Sequence, residues 1–180
     1  MSRISRFDFL RGDFSGKRTP IRPPWACLET EFVEKCTRCD ECVSACPEKI
    51  ITTGRGGFPA IDFHLGECTF CGDCVVACKE GALHAVDGSF DDRSAWKNKA
   101  SILTNCLALN GVECRVCGEQ CESQAIRFQL VAGGVARPRI DHAACNGCGA
   151  CVAPCPTDAV FIRAVETDAH STTDPMATAV

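Results

Sequence analysis

Apolar positions along this 180-residue chain fall in short runs, none long enough for a large core helix. β-Branched and apolar residues gather at 50–53, 82–86, 125–131 and 160–165, and each run predicts a short strand. Gly56-Gly57 and Gly133-Gly134 supply turns, after which 58–63 and 135–140 return as second strands. Between 87 and 104 the pattern loosens. Asp87-Gly88-Ser89 and a charged stretch predict a linker there, with one helical turn over 96–103 that Trp96 anchors by packing. Residues 166–180 are polar and aperiodic, which predicts a disordered tail. Residues 1–29 read as an extended arm. In it the prolines of Ile21-Arg22-Pro23-Pro24-Trp25 pre-order a segment that can dock on this chain or on a partner. No stretch approaches the roughly 20 apolar residues needed to cross a bilayer, so no membrane insertion is expected.

Cysteine usage changes the picture. Seventeen cysteines make up about 9% of the chain, a level seen in disulfide scaffolds and in metal proteins. Residues 1–25 contain no apolar run of seven, because charges and prolines interrupt them, so no secretory signal is expected. The chain is therefore expected in the reducing cytoplasm, where disulfides are disfavoured and dense cysteine spacing points to metal.

Sixteen of the cysteines form four groups. Cys36, Cys39, Cys42 and Cys46 share their spacing with Cys68, Cys71, Cys74 and Cys78, and with Cys145, Cys148, Cys151 and Cys155. The remaining group is looser: Cys106, then Cys114, Cys117 and Cys121. Beyond each group's last cysteine comes the same register, with Lys49-Ile50, Gly81-Ala82, Gln124-Ala125 and Asp158-Ala159 leading into the strand-like runs. Gaps of 21 and 23 residues join the groups in pairs, and the longer gap of 27 between Cys78 and Cys106 marks a boundary. The expected organisation is a basic arm over 1–29, a first module over 30–86, a linker over 87–104, a second module over 105–165 and a tail over 166–180.

Three-residue steps between cysteines curl the backbone so that three sulfurs face one small body, the grip a cubane [4Fe–4S] cluster needs. In two-cluster ferredoxins the last cysteine of each run serves the other cluster. Crossed ligation is therefore expected: Cys36, Cys39, Cys42 and Cys78 on one cluster, and Cys68, Cys71, Cys74 and Cys46 on its partner. In the second half, Cys145, Cys148, Cys151 and Cys121 would hold a third. Cys106, Cys114, Cys117 and Cys155 would hold a fourth, with a merely buried Cys106 thiol as the alternative. Pro47 and Pro156 turn the chain after the remote ligand. Gly72, Gly147, Gly149, Ala45, Ala77 and Ala150 allow close backbone approach. Zinc would need only two CxxC pairs and leaves the third step unexplained. Cys27 belongs to no group and reads as an inert thiol.

Little else carries chemistry. The four histidines stand singly, although His64 and His142 lie near Cys68 and Cys145 and could donate to cluster sulfides. No dinucleotide or P-loop glycine fingerprint is present. The regular groups each carry four thiols, leaving no open iron for a substrate, so no enzymatic activity is expected. A net charge of −4 argues against nucleic acid, and six Lys or Arg against two Asp in residues 1–25 leave about −8 on the rest.

The segments Ile21-Arg22-Pro23-Pro24-Trp25, Gly57-Phe58-Pro59, Glu67-Cys68-Thr69-Phe70-Cys71, Gly111-Val112-Glu113-Cys114-Arg115 and Cys145-Asn146-Gly147-Cys148 resemble NapF, the ferredoxin-type accessory family of the periplasmic nitrate reductase system. The resemblance covers about four fifths of the chain. It implies an α+β fold of tandem bacterial-type 2[4Fe–4S] ferredoxin modules, with short helices and small β-hairpins. It implies three [4Fe–4S] clusters and leaves a fourth to the irregular group. It also implies a cytoplasmic protein that acts on the precursor of the nitrate reductase catalytic subunit before export, loading or reducing its cluster. A soluble polyferredoxin electron carrier is the alternative, since that needs only the cysteines, and a redox or oxygen sensor is a third class.

Overall fold

Short runs of apolar residues give short elements, and the chain folds around its cysteine turns. The computed structural model describes residues 20–85 and 88–164. Helix α1 (Glu29–Lys35) carries Glu29 and Glu31 in its first turn and Lys35 in its last, in line with the helix dipole, and seats Phe32 with no exposed surface. Helix α2 (Glu41–Ala45) and helix α3 (Asp73–Ala77) each bury one cysteine, Cys42 and Cys74. Strands β1 (Ile51–Thr53) and β2 (Pro59–Ile61) pair as an antiparallel hairpin across Gly56-Gly57, with Ile51 opposite Ile61.

The second half repeats this plan with variations. After helix α4 (Asp92–Ala95) come strand β3 (Asn98–Ile102) and helix α5 (Val116–Glu119), and then the hairpin of β4 (Ile126–Gln129) and β5 (Arg137–Ile140). Strand β6 (Val160–Ala164) runs antiparallel to β3, with Ala100 opposite Ile162. Residues 96–103, expected to form a helical turn within a linker, are instead mostly strand. The helical turn lies earlier, at α4, and β3 is held by the chain end that follows the last cysteine group.

The same long-range pairing occurs in the first half in reduced form. The expected strand over 82–86 appears as one bridge, Ala26 to Leu83, flanked by Cys27 N–H donating to the Ala82 carbonyl and His84 N–H to the Trp25 carbonyl. Residues 86 and 87 lie outside the described residues. The segment 20–27, expected to be part of an extended arm, therefore docks on its own chain. Pro23 is fully buried, Trp25 is 5% exposed, and Ile61 N–H donates to the Ile21 carbonyl. Arg22 fastens it further, its guanidinium over the Phe32 and Phe58 rings and hydrogen bonded to the Glu29 carboxylate and the Pro59 carbonyl. The rest of the basic arm, residues 1–19, and the expected tail over 166–180 lie outside the described residues.

One buried cluster runs through both halves, from Phe32, Ile50 and Phe63 to Ala100, Ile126 and Val160. Cysteines supply much of it, so thiols stand where a larger domain would place Leu and Ile. Among the described residues, no helix is long and apolar enough to cross a membrane.

Candidate iron–sulfur sites

Left-handed backbone shapes each regular cysteine group. Arg38 and Asp40, Phe70 and Gly72, and Gly147 and Gly149 all take positive φ, at the second position after the first cysteine and the first after the second. Alternation of left- and right-handed residues turns successive amide N–H groups to one side, a concavity that binds anions and frames many iron–sulfur centres. A second left-handed residue follows every group, the irregular one included: Lys49, Gly81, Gln124 and Asp158. Each donates its N–H to the carbonyl of the group's last cysteine, at 3.3, 3.4, 2.9 and 3.3 Å. This tight turn is the physical content of the shared register seen in the sequence. It also aims amides at sulfur, with Leu83 N–H 3.4 Å from Cys78 Sγ and Ala159 N–H 3.3 Å from Cys155 Sγ. These sulfur donors are main-chain amides. His64 and His142, which stand singly and could have donated, are both exposed.

The thiols gather across groups. A cavity of about 150 Å³ is lined by Cys36, Cys39 and Cys42 from the first group and by Cys78 from the second, beneath Phe32 and Leu83. A tighter one, of about 20 Å³, is lined by Cys68, Cys71 and Cys74 together with Cys46, beneath Trp25 and Phe70.

The strongest electrostatic neighbours of each buried thiol come from its own set. Burial pushes Cys42 up to about 11, with Cys36, Cys78 and Cys39 adding to it. Burial likewise takes Cys74 to about 12, with Cys68 and Cys71 the strongest thiol neighbours and Cys42 and Cys46 behind them. In the second half burial raises Cys151 to about 12, followed by Cys148, Cys145, Cys117 and Cys121.

Cys117, raised by burial to about 11, faces Cys106 first and then Cys114 and Cys155. Cys106 thus reaches the irregular group's site. It is 8% exposed and shares a small buried cluster with Ala108 and Ala159, against which Cys155 packs. The extra residues between Cys106 and Cys114 fold as a 3-10 turn over Ala108–Asn110, capped by left-handed Gly111. That turn returns the chain so that Cys106 stands beside Cys114 despite the longer gap.

Four thiols per set, framed by inward amides, fit a cluster with thiolate ligands and an anionic body. They do not fit a single ion. Among the described residues no three Cys, His, Asp or Glu side chains close on one metal, whereas tetrahedral zinc would draw its sulfurs to about 4 Å from one another.

The profile of the 4Fe-4S dicluster domain matches the chain twice, over residues 35–82 and 112–159. The ferredoxin-type protein NapF of Haemophilus influenzae is 44% identical over 170 residues, covering 89% of this chain and 94% of that protein. NapF of Escherichia coli K12 is 40% identical over 158 residues, with 87% and 92% covered. The chain belongs to the NapF family. A more distant likeness is the ferredoxin-type protein NapG of Escherichia coli K12, 33% identical over 151 residues.

As a member of the NapF family the chain carries tandem 4Fe–4S dicluster domains. The second match begins at 112, downstream of Cys106, so the general domain pattern leaves out a cysteine that lies near Cys117 in this chain.

Sequence reasoning did not find the aromatic wall between the two domains. Phe63 and Phe70 pack edge-on against Trp96 at 5.9 and 5.8 Å, and Trp96 Nε1–H donates to the Asn146 carbonyl at 2.9 Å. Trp96 is thus the packing anchor expected of it, but what it fixes is the Cys145–Cys151 loop. Gly147 and Gly149 make room for it, since a Cβ on Gly149 would strike the Phe63 ring and one on Gly147 the Asn98 carbonyl. The signal was present in those two glycines, which are smaller than the cysteine spacing alone demands: Arg38 and Asp40 take the same conformations in the first group.

Proposed function

We propose that this NapF-family chain holds four [4Fe–4S] clusters by crossed ligation and uses them in the maturation of the periplasmic nitrate reductase catalytic subunit before its export. Cys36, Cys39, Cys42 and Cys78 form the first site, and Cys46, Cys68, Cys71 and Cys74 the second. Cys121, Cys145, Cys148 and Cys151 form the third, and Cys106, Cys114, Cys117 and Cys155 the fourth. The observation that carries the ligation is the exchange of fourth thiols: Cys78 lines the cavity of the first group, and Cys46 that of the second. When bound, such clusters supply one-electron exchange.

The chain's own residues do the rest. Amides of Leu83 and Ala159 donate to ligand sulfurs and hold negative charge there. Cys155 shows the effect directly. Burial acts to raise it, yet the N–H groups of Thr157, Ala159 and Val160 and the Thr157 hydroxyl leave it below the ordinary thiol range. Phe32, Trp25 and Phe70 wall the first two cavities against water. Cys39 and Cys71 are exposed, which brings the first and second sites to the surface where a partner can meet them.

The family supports a partner in the nitrate reductase system and a cytoplasmic location, and the donor sets support a protein without catalysis of its own. Capture of the catalytic subunit by tagged holoprotein tests this reading. Preferential recovery of the pre-export, cluster-poor form is expected, and in a deletion strain the subunit should accumulate without its full iron. Equal, weak recovery of both forms, with full iron in the deletion strain, overturns it and leaves the soluble electron carrier.

A further inference from the structure

The two dicluster domains touch through their ligand loops. Cys68 N–H donates to the Cys148 carbonyl at 2.8 Å, joining the second cysteine group to the last. Phe63, Phe70 and Trp96 enclose the contact. It is anchored from the far side by Asp92, whose carboxylate accepts from the Asn146 side-chain amide at 2.9 Å, while Asn146 Oδ1 accepts from Cys148 N–H at 3.2 Å.

Within each domain the sites already adjoin. Helices α2 and α3, which carry Cys42 and Cys74, pack on one another, and Cys117 and Cys151 share the buried cluster. The order of thiol sets is therefore linear, from the Cys36 set to the Cys68 set, across the junction to the Cys145 set, and on to the Cys106 set.

We infer that the Cys68–Cys148 contact is an electron-transfer junction that makes the two domains one four-site relay, with the Cys36 and Cys106 sets as its ends. The inference rests on the ligation proposed above. Tunnelling falls off steeply with distance, and a hydrogen-bonded contact between two ligand loops is a short route between the domains. With clusters bound, the site held by Cys68 would be oxidised by one electron as the site held by Cys148 is reduced, the electron first supplied by a low-potential one-electron reductant. No bond breaks and no proton moves. Phe63, Phe70 and Trp96 pack edge-on beside this contact.

The test silences the outer sites and asks whether the inner two sense each other. Full-length Cys39→Ser/Cys114→Ser holoprotein, with Cys36→Ser/Cys106→Ser as a second pair, is reduced by dithionite and read by electron paramagnetic resonance and iron analysis. The expected result is about eight iron per chain with a split, fast-relaxing signal from two interacting centres. About eight iron with a simple, unsplit signal overturns the junction and leaves the ligation standing. Iron far from eight in both pairs removes the ligation itself, and the relay with it.

Discussion

Three residues beyond the last cysteine of every group the backbone turns left-handed, at Lys49, Gly81, Gln124 and Asp158. Three of these four carry side chains, though a non-glycine residue in that conformation costs on the order of 1 kcal/mol. The fold keeps the turn because it sends a strand away from the cluster and returns amides to the cysteine sulfur. Glycine is therefore optional at such a turn. At Gly81 a Cβ would meet nothing within 4 Å, whereas at Gly149 it meets the Phe63 ring. Gly81→Asn should lower stability by about 1 kcal/mol or less, and Gly149→Ala by more than about 2 kcal/mol, as read by anaerobic denaturant unfolding. Equal losses would show that backbone conformation and not the interdomain contact governs both positions. The cysteines themselves were legible at this scale, because thiol spacing is a local property. The left-handed residues were not, since Arg38, Asp40 and Phe70 give no sign of positive φ.

Elements carry the clearest divergence between sequence and structure. Hairpins β1–β2 and β4–β5 were readable from apolar runs separated by paired glycines, a signal confined to about ten residues. Strand β3 was not. Asn98-Lys99-Ala100-Ser101-Ile102 has weak strand propensity and is held by its partner 60 residues away, with Ala100 1% exposed and Ile162 opposite it. What reads as linker is in part the opening strand of the second half, as the Ala26–Leu83 bridge is for the first. Gly88, upstream of β3, is an exposed left-handed glycine with open space at its Cβ position. Inserting two glycines after Gly88 should leave iron content unchanged. Ala100→Glu would bury a charge between β3 and the core and should cost several kcal/mol, with the clusters of the second half lost first. Iron analysis and limited proteolysis check both variants, and a tolerant Ala100→Glu would return this segment to a passive linker.

At the scale of the whole molecule, thiols and aromatic rings replace the large aliphatic core that short elements cannot build. Apolar contacts from both halves merge into one buried cluster. Two tryptophans tie the halves together beside it: Trp25 N–H donates to the Ala95 carbonyl at 2.7 Å, and Trp96 Nε1–H donates to the Asn146 carbonyl. Pairing of the cysteine groups could be anticipated, because gap lengths and a shared register imply it. How the pairs meet could not, since it depends on three aromatic side chains and two glycines far apart in sequence. Four thiol sets, the irregular one included, are each expected to hold a cluster. Iron and acid-labile sulfide measured on anaerobically purified protein, beside Cys106→Ala, test it most directly. About sixteen iron falling toward twelve is the predicted result; about twelve iron, unchanged by the substitution, would contradict it.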